Sequence, residues 1–196
     1  STHVSIEAKS NALALSKKSK LIPNMIKINK DAKFSKSDGF LFIGRQEKRK
    51  NFNFFNMLSK EDDFRENKFI AITNKIISTD NIEFLIKPTE SEKYEIFQRT
   101  NIYLALNTKR ESFGITLLEA VNNGNLAITS DLPAFKNVLI NSHVVFENKS
   151  YSSLVSLLSS ISGSNIEKLW NNQFSDLNNY DLDKNMEKFI YIYSKL

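Results

Sequence analysis

The sequence predicts an α/β fold, a parallel sheet wound on both faces by helices in the Rossmann manner. Strand-like and helix-like segments alternate along the chain, the signature of strand–helix–strand units. The strand segments are unbroken apolar runs such as "FLFIG" and "IYLAL", and strands covered on both faces read that way. Right-handed crossovers between such strands give a doubly wound sheet. The 196 residues fit one domain.

Each element has its own local reason. Residues 5–19 ("SIEAKSNALALSKKS") read as a helix, and 20–26 ("KLIPNMI") as a short strand interrupted by Pro23. Residues 27–38 are polar and read as a loop, and 40–44 ("FLFIG") are a buried strand. The apolar spacing over 51–61 ("NFNFFNMLSKE") predicts a helix, and 68–73 ("KFIAIT") and 82–86 ("IEFLI") predict strands. Residues 89–100 ("TESEKYEIFQRT") open with a Thr-x-x-Glu-type cap on Thr89 or Ser91. A strand at 102–106 ("IYLAL") leads to a helix opening at Gly114 and closing near Gly124. Next come a strand at 126–129, a short helix at 133–139 with proline in its first turn, and a last strand at 143–147. Three helical segments complete the chain.

Hydrophobic residues make up 41% of the chain, enough for a real core, and charged residues 25%. There is no cysteine, hence no disulfide framework and no thiolate metal site, and the two histidines, His3 and His143, lie far apart. Cysteine-free usage fits a reducing cytoplasm. The net charge of +5 suits an anionic partner: a nucleotide, a phospholipid surface or a nucleic acid. Nucleic acid is the weakest of the three, because few aromatic residues sit among the basic clusters. No apolar run approaches the length of a membrane span.

Ligands of an open parallel sheet sit at the carboxyl ends of its strands, and two such places carry chemistry. At the first, "FLFIG" runs into "RQEKRKN". Arg45 and Lys50 flank this turn, and Lys50 lies just before a helix, where the dipole disfavours a cation. A bound anion would reverse that sign; the alternative is a solvated basic loop. At the second, "IYLAL" runs through "NTKRES" into "FGITLLEAVNNG". Gly114 permits close backbone approach, and the N–H groups of residues 114–117 form a helix-start anion site. Glu111 precedes this turn and Glu119 follows it. Carboxylates beside such donors suit the vicinal hydroxyls of a ribose or hexose. The alternative makes one a loop acid and the other an exposed helix residue.

Taken together, "GRQEKRKN" and "ESFGITLLEA" resemble the nucleotide-sugar-binding half of retaining glycosyltransferases of the GT-B fold, notably family 4. In that family a G-R-x4-K-G/N segment holds the donor diphosphate, and an E-x7-E motif binds sugar and ribose. The resemblance extends over nearly the whole chain, through "KLIPNMI", "NGNLAITSDLPAFKNVL" and "SHVVFENKSYSSLVSLL". It implies that Arg45 and Lys50 hold the diphosphate. It implies that Glu111 holds sugar hydroxyls and supports the transition state, and that Glu119 holds the ribose. It places Gly44 and the backbone of Phe113, Gly114, Ile115, Thr116 and Leu117 at sugar and phosphate, and the base against residues 85–88. It implies a nucleotide-diphosphate sugar of UDP or GDP type as substrate, with no cofactor and no metal. The pattern departs from the family at Ser112, at Asn107 and Thr108, at Thr73 and Asn74, and at Ala127.

The resemblance also implies that residues 1–196 are a donor-binding domain and that an N-terminal domain, absent from this chain, meets a glycan or lipid-linked acceptor. The expected setting is the cytoplasm, with peripheral association of the full enzyme at the inner face of the plasma membrane, in bacterial surface polysaccharide synthesis. By this reading the chain alone is inactive. The other reading is a non-catalytic sugar-nucleotide-binding module completed by a separate partner chain.

Overall fold

The computed structural model describes residues 2–3, 20–21, 23–161 and 163–194. Its centre is one six-stranded sheet: β1 (Gly39–Ile43), β2 (Lys68–Thr73), β3 (Glu83–Ile86), β4 (Ile102–Ala105), β5 (Leu126–Ser130) and β6 (Val144–Phe146). All neighbours are parallel, in the order β3-β2-β1-β4-β5-β6. This is the doubly wound Rossmann order. The chain leaves β1 toward one edge of the sheet and β4 toward the other. The crevice between their carboxyl ends is the topological switch point.

The helices are α1 (Phe52–Leu58), α2 (Glu90–Gln98), α3 (Ile115–Asn122), α4 (Pro133–Val138), α5 (Tyr151–Ser160), α6 (Gly163–Asp176) and α7 (Leu182–Tyr193). Thr89, rather than Ser91, caps α2 in a full capping box: its hydroxyl accepts from the Glu92 N–H, and Glu92 accepts from the Thr89 N–H. Pro133 opens α4 as expected. Of the described residues, no helix is long and apolar enough to cross a membrane.

Central strands are buried along their length: all of β4 and β5, and four of the five residues of β1. Phenylalanines fill one half of the core. The Phe42 ring on β1 meets Phe52 and Phe55 of α1 at 5.2 and 5.6 Å, and Phe55 meets Phe69 of β2 at 5.4 Å. Such tilted and edge-on pairs are favourable, and they fix where α1 begins. On the other half, α3 buries Leu117, Leu118, Ala120 and Val121, which fixes the start of α3 beside the end of β4.

Two expectations change in detail, and one cannot be compared. The strand expected over 20–26 reduces to Lys20–Leu21, paired in parallel with Thr2–His3, and a lone bridge from Ile26 to Asp181. Pro23 lacks the N–H that a continuing ladder needs. The helix expected over 51–61 stops at Leu58, and a separate 3-10 turn covers Asp62–Phe64. The helix expected over 5–19 lies outside the described residues.

Candidate functional site

Both predicted motifs emerge at the switch point. After β1, Gly44 donates its N–H to the Ile72 carbonyl at 3.0 Å, holding the chain in sheet register one residue beyond the strand. A tight 3-10 turn follows at Lys48–Lys50, and Asn51 then takes a left-handed conformation (φ 54°) before α1 begins. Asn tolerates that conformation better than most residues. The break in direction turns Lys50 back over the end of the sheet. After β4, Arg110 is also left-handed (φ 56°), a costly geometry for a long side chain. The two loops are joined by the Thr108 N–H, which donates to the Arg49 carbonyl at 2.7 Å.

The result is a direct ion pair between the two motifs. Lys50 Nζ lies 2.9 Å from Glu111 Oε2, with side-chain exposures of only 20% and 15%. The same oxygen accepts from Asn107 Nδ2 at 2.6 Å, and Oε1 accepts from the Ser112 N–H at 3.2 Å. Asn107 is itself fixed, because its carbonyl accepts from the Ser130 hydroxyl. Burial opposes ionisation of Glu111. The Lys50 hydrogen bond and charge, with the N–H groups of Phe113 and Ser112, outweigh it and hold the carboxyl below its ordinary range.

Gly114 caps α3 in the left-handed region (φ 88°). The conformation favours glycine, and a Cβ there would also crowd the Phe135 ring at 3.1 Å. The Leu117 N–H is already given to the Gly114 carbonyl at 2.9 Å, and the Leu117 side chain is buried in the core. That corrects the expectation of open donors over 114–117: the open helix-start N–H groups are those of 114–116. Glu119 stands farther along α3 and is paired with Lys93 of α2, Nζ to Oε2 2.9 Å.

A cavity of about 260 Å³ opens here, lined on the β1 side by Lys50, on the β4 side by Tyr103, Asn107 and Glu111, and by residues 112–116 with Phe135 and Asn24. Of the predicted site residues, Lys50, Glu111, Phe113, Gly114, Ile115 and Thr116 line it. Gly44, Arg45, Leu117 and Glu119 do not. Arg45 stands at the rim with its side chain 76% exposed, 3.8 Å from Glu47. The proposed base segment, residues 85–88, lies at the carboxyl end of the edge strand β3, just before the capped start of α2. Sequence reasoning passed over Lys93 and Tyr103, and noted Asn107 only as a departure. Lys93 finds Glu119 26 positions away, and Tyr103 reaches the cavity only through the sheet, so no local pattern marks either; Asn107 lies four residues from Glu111, where the spacing alone does not reveal the bond.

The chain superposes over its full length on HepE of Anabaena, solved in complex with UDP and glucose and with UDP-glucose, with a TM-score of 0.80 at 12% identity. It covers 63% of that chain. Sucrose-phosphate synthase of Thermosynechococcus elongatus gives a TM-score of 0.80 at 12% identity over 99% of this chain and 57% of its own. The pneumococcal O-GlcNAc transferase GtfA, solved with UDP and GlcNAc, gives 0.72 at 16% over 98% and 44%. These likenesses establish the Rossmann-like architecture. In sequence, phosphatidyl-myo-inositol mannosyltransferase of Mycobacterium tuberculosis is 39% identical over 59 residues, 30% of this chain and 16% of the relative. Its counterpart in Propionibacterium freudenreichii is 40% identical over 62 residues, again 16% of the relative. The match is thus confined to a small part of those curated proteins. The model of the family "glycosyl transferases group 1" matches residues 62–171, more than half of the chain and including both glutamates. The chain belongs to the glycosyl transferases group 1 family.

Proposed function

We propose that this domain binds a nucleotide-diphosphate sugar, of UDP or GDP type, for a retaining and metal-independent hexosyl transfer. The observation that carries the reading is the Lys50–Glu111 pair set beside the open N–H groups of α3 at the switch point. One cation and a helix start suit a diphosphate. A fixed carboxylate with amide neighbours suits sugar hydroxyls. Lys93 leaves the second oxygen of Glu119 open to a ribose.

In this mechanism the bond between the anomeric carbon and the leaving phosphate oxygen breaks as the acceptor oxygen bonds to the same face of that carbon. The acceptor proton passes to the departing phosphate. Lys50, the helix-start N–H groups and Arg45, swung in from the rim, stabilise the charge that grows on the phosphate. Glu111 holds the sugar while its ring becomes oxocarbenium-like. The acceptor, a glycan or a lipid-linked molecule, would be met by an N-terminal domain outside residues 1–196. Membership in a family with phosphatidyl-myo-inositol mannosyltransferases among its relatives favours work on bacterial surface glycans at the inner face of the membrane.

The test is binding without divalent metal. UDP and GDP are titrated into the chain in excess chelator, and amide shifts are followed by NMR. The expected result is saturable binding of one of them, with the largest shifts at residues 44–51 and 111–117. Absence of binding at millimolar nucleotide, or binding only after metal is added, overturns the proposal.

A further inference from the structure

Tyr103 has no role in the reading so far, yet its placement is unusual. It stands in β4, the central strand on the far side of the switch point, with Leu41 and Ala127 as its register partners. The residue is 5% exposed and lines the site cavity. Its hydroxyl makes no hydrogen bond among the described residues. The hydroxyl is not among the fully buried polar atoms that lack a partner, and the residue lines the cavity, so the hydroxyl opens into that space. Phenylalanine would fill the same strand position, so packing alone does not call for the hydroxyl.

The surroundings define what the hydroxyl can recognise. Burial first, then the charges of Glu111 and Glu119, push its pKa well above the ordinary tyrosine value, so it stays a neutral donor. The neighbouring acids disfavour an anion at that spot and favour an uncharged oxygen. Phosphate is better served by Lys50 and the α3 start. The cavity's volume of about 260 Å³ is below the range typical of pockets that enclose a whole drug-sized ligand, and it suits one ring-sized unit. Its lining offers a carboxylate and an amide, Glu111 and Asn107, and the aromatic ring of Phe135.

We infer that Tyr103 is a sugar-contacting residue that helps set donor specificity: from the floor of the cavity its hydroxyl donates a hydrogen bond to a hydroxyl oxygen of the hexosyl unit. This rests on the donor-site reading above and extends it to a residue outside both motifs. A donor whose hydroxyl is missing or turned away at that position forgoes the bond and leaves the phenol unpaired.

The variant Tyr103→Phe keeps the ring and removes only the hydroxyl. Dissociation constants are measured by calorimetry for UDP, GDP, UDP-glucose and GDP-mannose on wild type and variant, with melting temperatures alongside. For the nucleotide that binds, the expected result is an unchanged constant for the bare diphosphate, a three- to tenfold weaker one for its sugar conjugate, and a melting temperature close to wild type. Equal loss for diphosphate and conjugate overturns the inference, since the hydroxyl then serves the phosphates. No loss for either also overturns it. If wild type binds none of the four, the donor-site reading itself fails, and this inference with it.

Discussion

Glu111 and Lys50 each occupy the partner that a donor would need. In the free domain the ammonium and the carboxylate share one hydrogen bond of 2.9 Å. A diphosphate must draw Lys50 away from Glu111, and a sugar must compete for the oxygens of Glu111. The two glutamates should therefore fail differently. Glu111→Ala releases Lys50, so the isolated chain should bind bare UDP or GDP a few-fold more tightly. If Glu111 holds the sugar as proposed, the same change in the catalytically active enzyme removes a contact that strengthens in the transition state, and kcat should fall about a hundredfold. If Glu119 holds the ribose as proposed, Glu119→Ala removes a contact that is equal in ground and transition states. It should weaken nucleotide binding and raise the donor KM with kcat nearly intact. Calorimetry on the two variants, with circular dichroism to verify folding, decides the first half. Weaker nucleotide binding by Glu111→Ala and unchanged binding by Glu119→Ala would mean that the two roles are exchanged.

At the level of elements, the site depends on where helices start, and two glycines control one of those helices. Gly114 opens α3 with φ 88°, and a Cβ there would press on the Phe135 side chain at 3.1 Å. Gly124 follows α3 with φ 93°, and a Cβ there would stand 2.3 Å from the Lys33 carbonyl oxygen. That oxygen is backbone and cannot swing aside. Gly114→Ala should cost about 1–3 kcal/mol, as for a non-glycine residue held in the left-handed region. Gly124→Ala adds a backbone collision to the same strain and should cost more. Urea unfolding of both variants checks the order, and a smaller loss for Gly124→Ala than for Gly114→Ala would contradict it. The sequence showed these elements because their causes are local. The apolar runs of β1 and β4, the Thr89 cap and the Pro133 helix start each lie within a few residues of what they specify. The chemistry was less legible because its causes are distant. Lys50 and Glu111 could be named from their motifs, but not their mutual bond across 61 positions. The Lys93–Glu119 pair spans 26 positions, and Lys93 carries no motif. Tyr103 looked like any apolar strand residue until the sheet set it in the lining of the same cavity as Gly114. Asn107 read as a departure from the family pattern, and the structure makes it a donor to Glu111.

For the whole molecule, the switch point is where the two halves of the sheet meet, and a nucleotide bound there as proposed would bridge them. Lys50 comes from the β1 side, Glu111 and α3 from the β4 side, and Lys93 reaches Glu119 from α2. A ligand held by all of these binds the folded chain and not the unfolded one, so it stabilises the fold by mass action. At a hundredfold excess over its dissociation constant the gain is about 2.7 kcal/mol. For a chain of this size each kcal/mol raises the melting temperature by about 2–4 °C, which gives a rise of about 5–10 °C with the binding nucleotide. Lys50→Met should act twice. Without nucleotide it should melt below wild type, because Glu111 is left half-buried without its cation. With nucleotide at the wild-type saturating concentration its rise should shrink to about 2 °C or less, because the diphosphate has lost its buried cation. Lys36→Met is the control for net charge. Lys36 pairs with Glu167 on the exposed surface, with side-chain exposures of 77% and 48%, and pairs of that kind contribute little. It should keep both the wild-type melting temperature and the full nucleotide rise. If Lys50→Met keeps the full rise, the diphosphate does not sit on Lys50. If Lys36→Met loses it as well, the effect comes from overall charge rather than from the site at the switch point.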